Sequence, residues 1–405
     1  MKKTLFLFTF LIAVLSVDAH SNEKIPLQHF FCDSAMTSGS LSPDGKYFAS
    51  MVPASGAKCA IEEIDDPQAA RVLLVIDLET NKPTVLSGTK GKSRLTGFTW
   101  ISNTRIAFFR QPEAGLDAYS MWAINVDGTK PKELVPGKWE DSYPTGARLL
   151  DRMKDDENHI LVSYNKRRPK YTDVYKLNIF SGKLTMVAKD PVIDGQTSLG
   201  WAVDQQGLVR GYVAVKGLYT YLYHRNDADS DFELLRKFKF QEASFGPAAY
   251  SYDPRYVYMR GQAVAADGTV IDDSDTDALW LYDAYEDKFV EKIYENDRYD
   301  VGGIAISSKT EEPAYIAYYG EKPEKIWIDE DLEQVYATIE ASFPNDQVSI
   351  GGWTEDEDKA IITTWSDTNP GEMYYYDRNK GTIAFIAKSR PWINKDEMSP
   401  MLPIS

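Results

Sequence analysis

"LSPDGKYFASMV", residues 41–52, followed by "ARVLLVIDLETNKPTVL", residues 70–86, is the stretch on which the fold turns. Pro43-Asp44-Gly45 is a turn signal, and the apolar run after it has strand length. The second piece holds two further runs joined at Asp77 by an acidic turn. Short apolar runs punctuated by turn residues read as strands, and two such runs across a tight turn read as a hairpin. The unit is thus an opening segment, a strand, a variable loop, a strand ending in an acidic turn, and a closing strand.

The same unit recurs along the chain. "FTWISNTRIAFFR" from Phe98 pairs with "YSMWAINVDGTKPKELV", and "DRMKDDENHILVSYN" from Asp151 with "TDVYKLNIFSGKLTMVA". The fourth unit runs from Trp201 and the fifth from Tyr250, with the longest insertion. "IAISSKTEEPAYIAYY" with "KIWIDEDLEQVYATI" forms the sixth, and "GGWTEDEDKAIITTWS" with "EMYYYDRNKGTIAFIA" the seventh. The turns between the last two strands start near Asp77, Asn125, Asn178, His224, Asp283, Asp329 and Asp377, at spacings of 48, 53, 46, 59, 46 and 48. Seven four-stranded units with a period near 50 are the signature of a seven-bladed β-propeller. A pair of β-sandwiches is the rival, and the steady spacing argues against it. No stretch keeps a convincing 3.6-residue apolar period over three turns, so the reading is all-β, one closed domain over residues 30–390. The segment before Leu41 is expected to give the last blade a strand or a cover.

Residues 1–19 read as a signal peptide: Lys2 and Lys3 precede an apolar run at 5–15, and Val17 and Ala19 suit a cleavage site. That implies export, to the periplasm or beyond. Cleavage moves the formal charge from −16 to −17, which disfavours nucleic acid and anionic membranes as partners. The one basic knot, 166–168 with Lys170, reads as a solvated loop. Cys32 and Cys59 lack the spacing of a zinc or redox site and form a possible disulfide in an oxidising compartment.

At this point the ordered series resembles a known family. "SLSPDGKYFA" from Ser40, "VIDLETNK" from Val75, "FTWISNTRIAF" from Phe98 and "WAINVDGTKPKEL" from Trp122 are similar to the N-terminal propeller of prolyl oligopeptidase-family serine peptidases. The branch resembled is the exported acylaminoacyl-peptidase or dipeptidyl-aminopeptidase type. "VYKLNIFSGK" from Val174, "SDTNPGEMYYYDRNKG" from Ser366 and "RPWINKDEMSPMLPI" from Arg390 continue it. In that family an α/β-hydrolase domain follows, with its nucleophile in a G-x-S-x-G elbow. No such motif occurs here, and "GQTSLG" at Gly195 has one residue too many before Ser198. Residues 391–405 therefore read as a truncated linker toward a catalytic domain encoded elsewhere or lost.

No catalytic, cofactor-binding or metal-binding residue is assigned. His20, His29, His159 and His224 sit in unrelated segments, whereas a nucleophile needs a base within hydrogen-bond reach. The alternating acids at 227–231 and 273–277 would put Phe232 or Ala278 where a calcium loop needs Gly, and Phe238 or Ala284 where it needs Glu. Carboxylate-type glycoside hydrolysis would require two carboxyl groups about 5–10 Å apart in a central pocket. Trp100, Trp201, Trp280, Trp327, Trp353 and Trp365 could form a sugar platform, but their recurrence at strands fits packing between blades.

The leading reading is a non-catalytic propeller that gates peptide access to a hydrolase domain missing from the chain. Its alternative is a stand-alone periplasmic propeller binding a protein or peptide partner. No cofactor is expected, and the isolated chain is expected to be inactive.

Overall fold

The strand runs pair as their turn signals direct. The computed structural model describes residues 24–401 apart from 55, 57, 60–70, 89–92, 112–117, 141–142, 192, 194, 241–243 and 273. The expected signal peptide lies outside the described residues. Seven sheets follow in chain order, each an antiparallel meander, spanning 37–88, 94–135, 147–188, 197–239, 245–294, 301–327 and 347–388. They are numbered here as blades 1 to 7. A separate two-stranded hairpin, Lys138–Glu140 with Tyr143–Thr145, stands between blades 2 and 3.

Each blade is apolar on both faces, and every seam between neighbours has its own core. Ala49, Leu73 and Val75 of blade 1 meet Trp100, Ile106 and Phe108 of blade 2. Equivalent clusters fill the seams 2–3, 3–4, 4–5, 5–6 and 6–7. Leu41 and Phe48 of blade 1 pack on Ile361, Met373 and Tyr375 of blade 7 and complete the circle. At roughly 1.5–3 kcal/mol per buried large aliphatic side chain, these seams are the main cohesive term. Of the six tryptophans weighed above as a sugar platform, five belong to them and Trp365 is substantially exposed.

One expectation needs correction, and another is met in one of its two forms. The first concerns blade 6, which has three strands rather than four. Its expected closing strand is a helix, Glu330–Glu340. Leu332, Val335, Tyr336 and Ile339 follow the i, i+3, i+4, i+7 pattern and are buried, the last three in the core shared with blade 7. The reason lies in Asp329. In other blades the turn acid accepts two backbone N–H groups: Asp77 those of Glu79 and Thr80, Asp283 those of Tyr285 and Glu286. Asp329 accepts those of Asp331 and Leu332 in the same way, which is also the geometry of a helix N-cap. The same side-chain chemistry starts either element, and the apolar period decides which one forms.

The second concerns the ring's seam, where the lead-in is a cover and not a strand. Blade 7 takes all four strands from its own span, and the residues before Leu41 add no strand to it. Thr37–Leu41 is instead the first strand of blade 1. The lead-in does cover the seam: Ala35 N–H donates to the Ser389 carbonyl at 2.7 Å and Trp392 Nε1 to that of His29 at 3.0 Å. Residues 391–401, as far as described, fold back on the lead-in, with Ile393 buried.

Cys32 and Cys59 are placed as a disulfide with Cα atoms 5.2 Å apart. It ties the lead-in to the loop after the second strand of blade 1. Intact mass with and without reductant should show one bridge, and two free thiols in exported protein would count against it.

Candidate functional site

Because every blade is a meander, its strands alternate in direction, and two faces of the ring can be told apart from topology. The blade-to-blade crossovers, the start of blade 1 and the end of blade 7 share one face, called proximal here. The turns between first and second strands lie on the other, distal face. Those turns from blades 3 to 7 converge on one cavity of about 830 Å³, lined by Arg152, Gln205, Ser308 and Glu355 among others. First strands therefore line the axis. Consistently, each keeps a central exposed residue: Ser38, Thr96, Arg148, Leu199, Ala248, Gly302 and Ser349 in blade order. Five of these seven residues are small, Leu199 is large and apolar, and Arg148 is charged.

At the proximal end the channel meets a second cavity, of about 900 Å³, lined by blades 4, 5 and 6. Phe245 and Ile304 form apolar wall, and Arg260, Asp275, Asp277 and Asp300 supply charge. Asp277 Oδ2 accepts from Ser244 Oγ at 3.2 Å and lies 3.7 Å from Arg260 Nε, while its N–H donates to Asp300 Oδ1. Burial, and then the nearby Asp300 charge, hold its carboxyl above the usual carboxylate range. These acids form a network with an arginine, a serine and a backbone amide, which suits recognition of polar groups.

The distal mouth is bridged. Arg152 of blade 3 lies 3.5 Å from Glu355 of blade 7, and Lys154 of blade 3 pairs with Glu311 of blade 6. The hydrogen bond from Glu311 holds the Lys154 ammonium above its ordinary value. Gln205 of blade 4 donates to the carbonyls of Tyr250 and Glu311, and Ser308 of blade 6 to Glu357 of blade 7. The Glu355 N–H donates to the Pro43 carbonyl and Lys359 Nζ to that of Gly45, which ties blade 7 to blade 1.

The residues weighed from sequence fall apart in space. His159 bonds Asp156 and Asn178, His29 lies by Trp392, and His20 is outside the described residues. His224 is buried at the seam of blades 4 and 5 against Tyr250, and burial lowers its pKa to about 4. A histidine buried neutral stabilises the fold above its unfolded pKa of about 6.5 and loses that contribution as pH falls toward 4. Urea unfolding between those values should lose up to about 1.4 kcal/mol per pH unit through this group, and His224→Gln should flatten the slope. The acids at 227–231 cap a turn through Asp227, and Asp273 is outside the described residues. Arg167 of the basic knot is not merely solvated: its guanidinium grips the buried Asp173 at 2.8 and 2.9 Å. Sequence reading missed Arg152, Lys154, Glu311 and Glu355. Aligning the first turn of each unit, "DRMKDD", "SSKTEE" and "TEDED", would have put them on one ring.

A closed ring of seven meander blades around a channel, with both ends of the ring on one face, defines a seven-bladed propeller. No family model matches the chain. It is 24% identical over 384 residues to dipeptidyl aminopeptidase BIII of Pseudoxanthomonas mexicana, covering 90% of this chain and 48% of that protein. Among solved structures, a prolyl endopeptidase superposes with a TM-score of 0.55 at 15% identity, over 89% of this chain and 50% of the other. Acylaminoacyl peptidase of Pyrococcus horikoshii gives 0.51 at 12% identity, over 92% and 55%. The chain spans about half the length of these relatives. It is a homologue of dipeptidyl aminopeptidase BIII, with the propeller fold of prolyl oligopeptidases and acylaminoacyl peptidases. Among the described residues, no helix is long and apolar enough to cross a membrane.

Proposed function

We propose that this chain is the non-catalytic propeller module of an exported prolyl oligopeptidase-type serine peptidase, and that it selects short peptides for a catalytic domain seated on its proximal face. One observation carries the reading. Both ends of the ring leave the face on which the channel and the acidic cavity open, so a domain joined to either end would lie over that mouth. Homology to dipeptidyl aminopeptidase BIII supplies the class of partner domain and of substrate, namely peptides. The basic-then-apolar N-terminus and the cysteine pair support export. The hairpin with exposed Trp139 and Tyr143 rises between blades 2 and 3 from the same face and offers apolar contact to a partner. The hydrolase domain of dipeptidyl aminopeptidase BIII, expressed separately, should bind the purified chain, and Trp139→Ala with Tyr143→Ala should weaken binding about tenfold or more. Binding insensitive to these changes but lost on altering distal-face residues would contradict the arrangement.

A further inference from the structure

The two mouths of the channel are built differently, and the distal one carries a device that the peptidase reading does not require. In a ring of seven, blades 6 and 7 are the pair opposite blade 3. Arg152 and Lys154 come from one blade 3 turn and reach Glu355 and Glu311 on those two blades. Both ion pairs must therefore cross the axis.

The turn that presents the cations is held firmly. Asp151 Oδ1 accepts the Met153 N–H at 2.6 Å, and the Met153 carbonyl accepts the Asp156 N–H at 2.7 Å. Asp156 is in turn clamped by Lys176 Nζ at 2.6 Å and by the His159 ring. Backbone conformation adds an independent sign. Blades 1 and 4 use Gly45 and Gly207 at the left-handed position of this turn, where glycine alone is free of strain. Blades 6 and 7 put Glu311 and Glu357 there, at φ of 62° and 56°, and in blade 3 Met153 is left-handed at φ 54° just before the turn, where its carbonyl accepts the Asp156 N–H. Such backbone is costly for a branched-out side chain and persists where the surroundings enforce it. Three of the seven left-handed non-glycine residues described sit at the turns that the ion pairs join, the other four being Ser38, Asn81, Lys130 and Asp287, and Glu311 is itself a partner.

We propose that Arg152 and Lys154, paired with Glu355 and Glu311, form an ionic strap that shuts the distal end of the axial channel, so that peptide-sized solutes are admitted only through the proximal mouth until salt loosens the strap. All four side chains are partly exposed, so their attraction is moderate and falls as ionic strength shortens the screening length from about 8 Å at physiological salt to about 3 Å at 1 M. The strap is then a door that side-chain motion alone can open, with the blade 3 turn as its fixed post. It belongs to the ring itself and holds whether or not a catalytic domain covers the other face.

The test uses the full chain with Ser349→Cys as a reporter halfway along the channel wall; the native cysteines are already paired. The probe is an uncharged maleimide carrying a short polyethylene glycol. Access from the proximal mouth sets a baseline rate common to all variants. At low salt, Arg152→Gln with Lys154→Gln should raise the alkylation rate several-fold. In 1 M salt the parent should approach that rate, and the double variant should not respond to salt. Lys154→Glu combined with Glu311→Lys, which exchanges the charges, should restore slow, salt-sensitive labelling. Equal rates in parent and double variant at low salt, a parent indifferent to salt, or a charge exchange that stays fast would each overturn the strap.

Discussion

Incubated with aminoacyl or acylaminoacyl peptide substrates, the purified chain is expected to release no product above the uncatalysed rate, and a fluorophosphonate probe is expected to leave every serine unmodified. Serine is a weak nucleophile until an adjacent base and oriented oxyanion donors activate it, and enzymes that supply these gain 10⁶-fold or more, roughly 8 kcal/mol of barrier. His159 is bonded to Asp156, and His224 is buried in the 4–5 seam. Stoichiometric labelling that maps to a single serine would overturn the non-catalytic reading while leaving the propeller intact.

Phe48→Ala should be among the most damaging single changes to the ring, lowering unfolding free energy by about 3–5 kcal/mol. Phe48 is almost wholly buried at the seam of blades 1 and 7, where Leu41, Ile361 and Met373 also pack. No strand is shared across this seam, so side-chain packing and a few hydrogen bonds, including Ala35 to Ser389, must hold it. Truncation leaves a cavity at the one junction that no blade-to-blade crossover spans. The same substitution at the equivalent seam of blades 1 and 2, Phe108→Ala, should cost a similar amount, because seams rather than sheets carry the cohesion. Denaturant unfolding of both variants checks this; a loss below 1 kcal/mol at Phe48 would show that the seam is held by something other than its core.

How much of this could be read from residues alone follows from the range of the interactions. Strand-turn units are local, so the apolar run Val72–Ile76 and the turn acid at Asp77 announce a hairpin without any tertiary information, and seven such units imply a ring. Blade 6 misled because Asp329 makes the same two backbone hydrogen bonds in a turn or at a helix N-terminus. The period Leu332, Val335, Tyr336, Ile339 was there to be read, but the expectation of a fourth strand overrode it. The seam was illegible for a different reason: whether Thr37–Leu41 pairs with its own blade or with the last depends on closure geometry, which no local pattern encodes. The distal ion pairs were hidden by distance, Lys154 and Glu311 being 157 positions apart. Among 61 acids and 45 bases, only the superposition of repeats singles them out.

The central claim, a propeller that filters peptides for a catalytic partner, is tested most directly by fusing residues 20–405 to the hydrolase domain of dipeptidyl aminopeptidase BIII and measuring kcat/KM over a ladder of peptide lengths. The fusion should cleave short peptides and lose activity steeply once the substrate is too long or too folded to pass the ring. The hydrolase domain without the propeller should show no such cut-off. Equal cleavage of a short peptide and a folded protein by the fusion would contradict the filter.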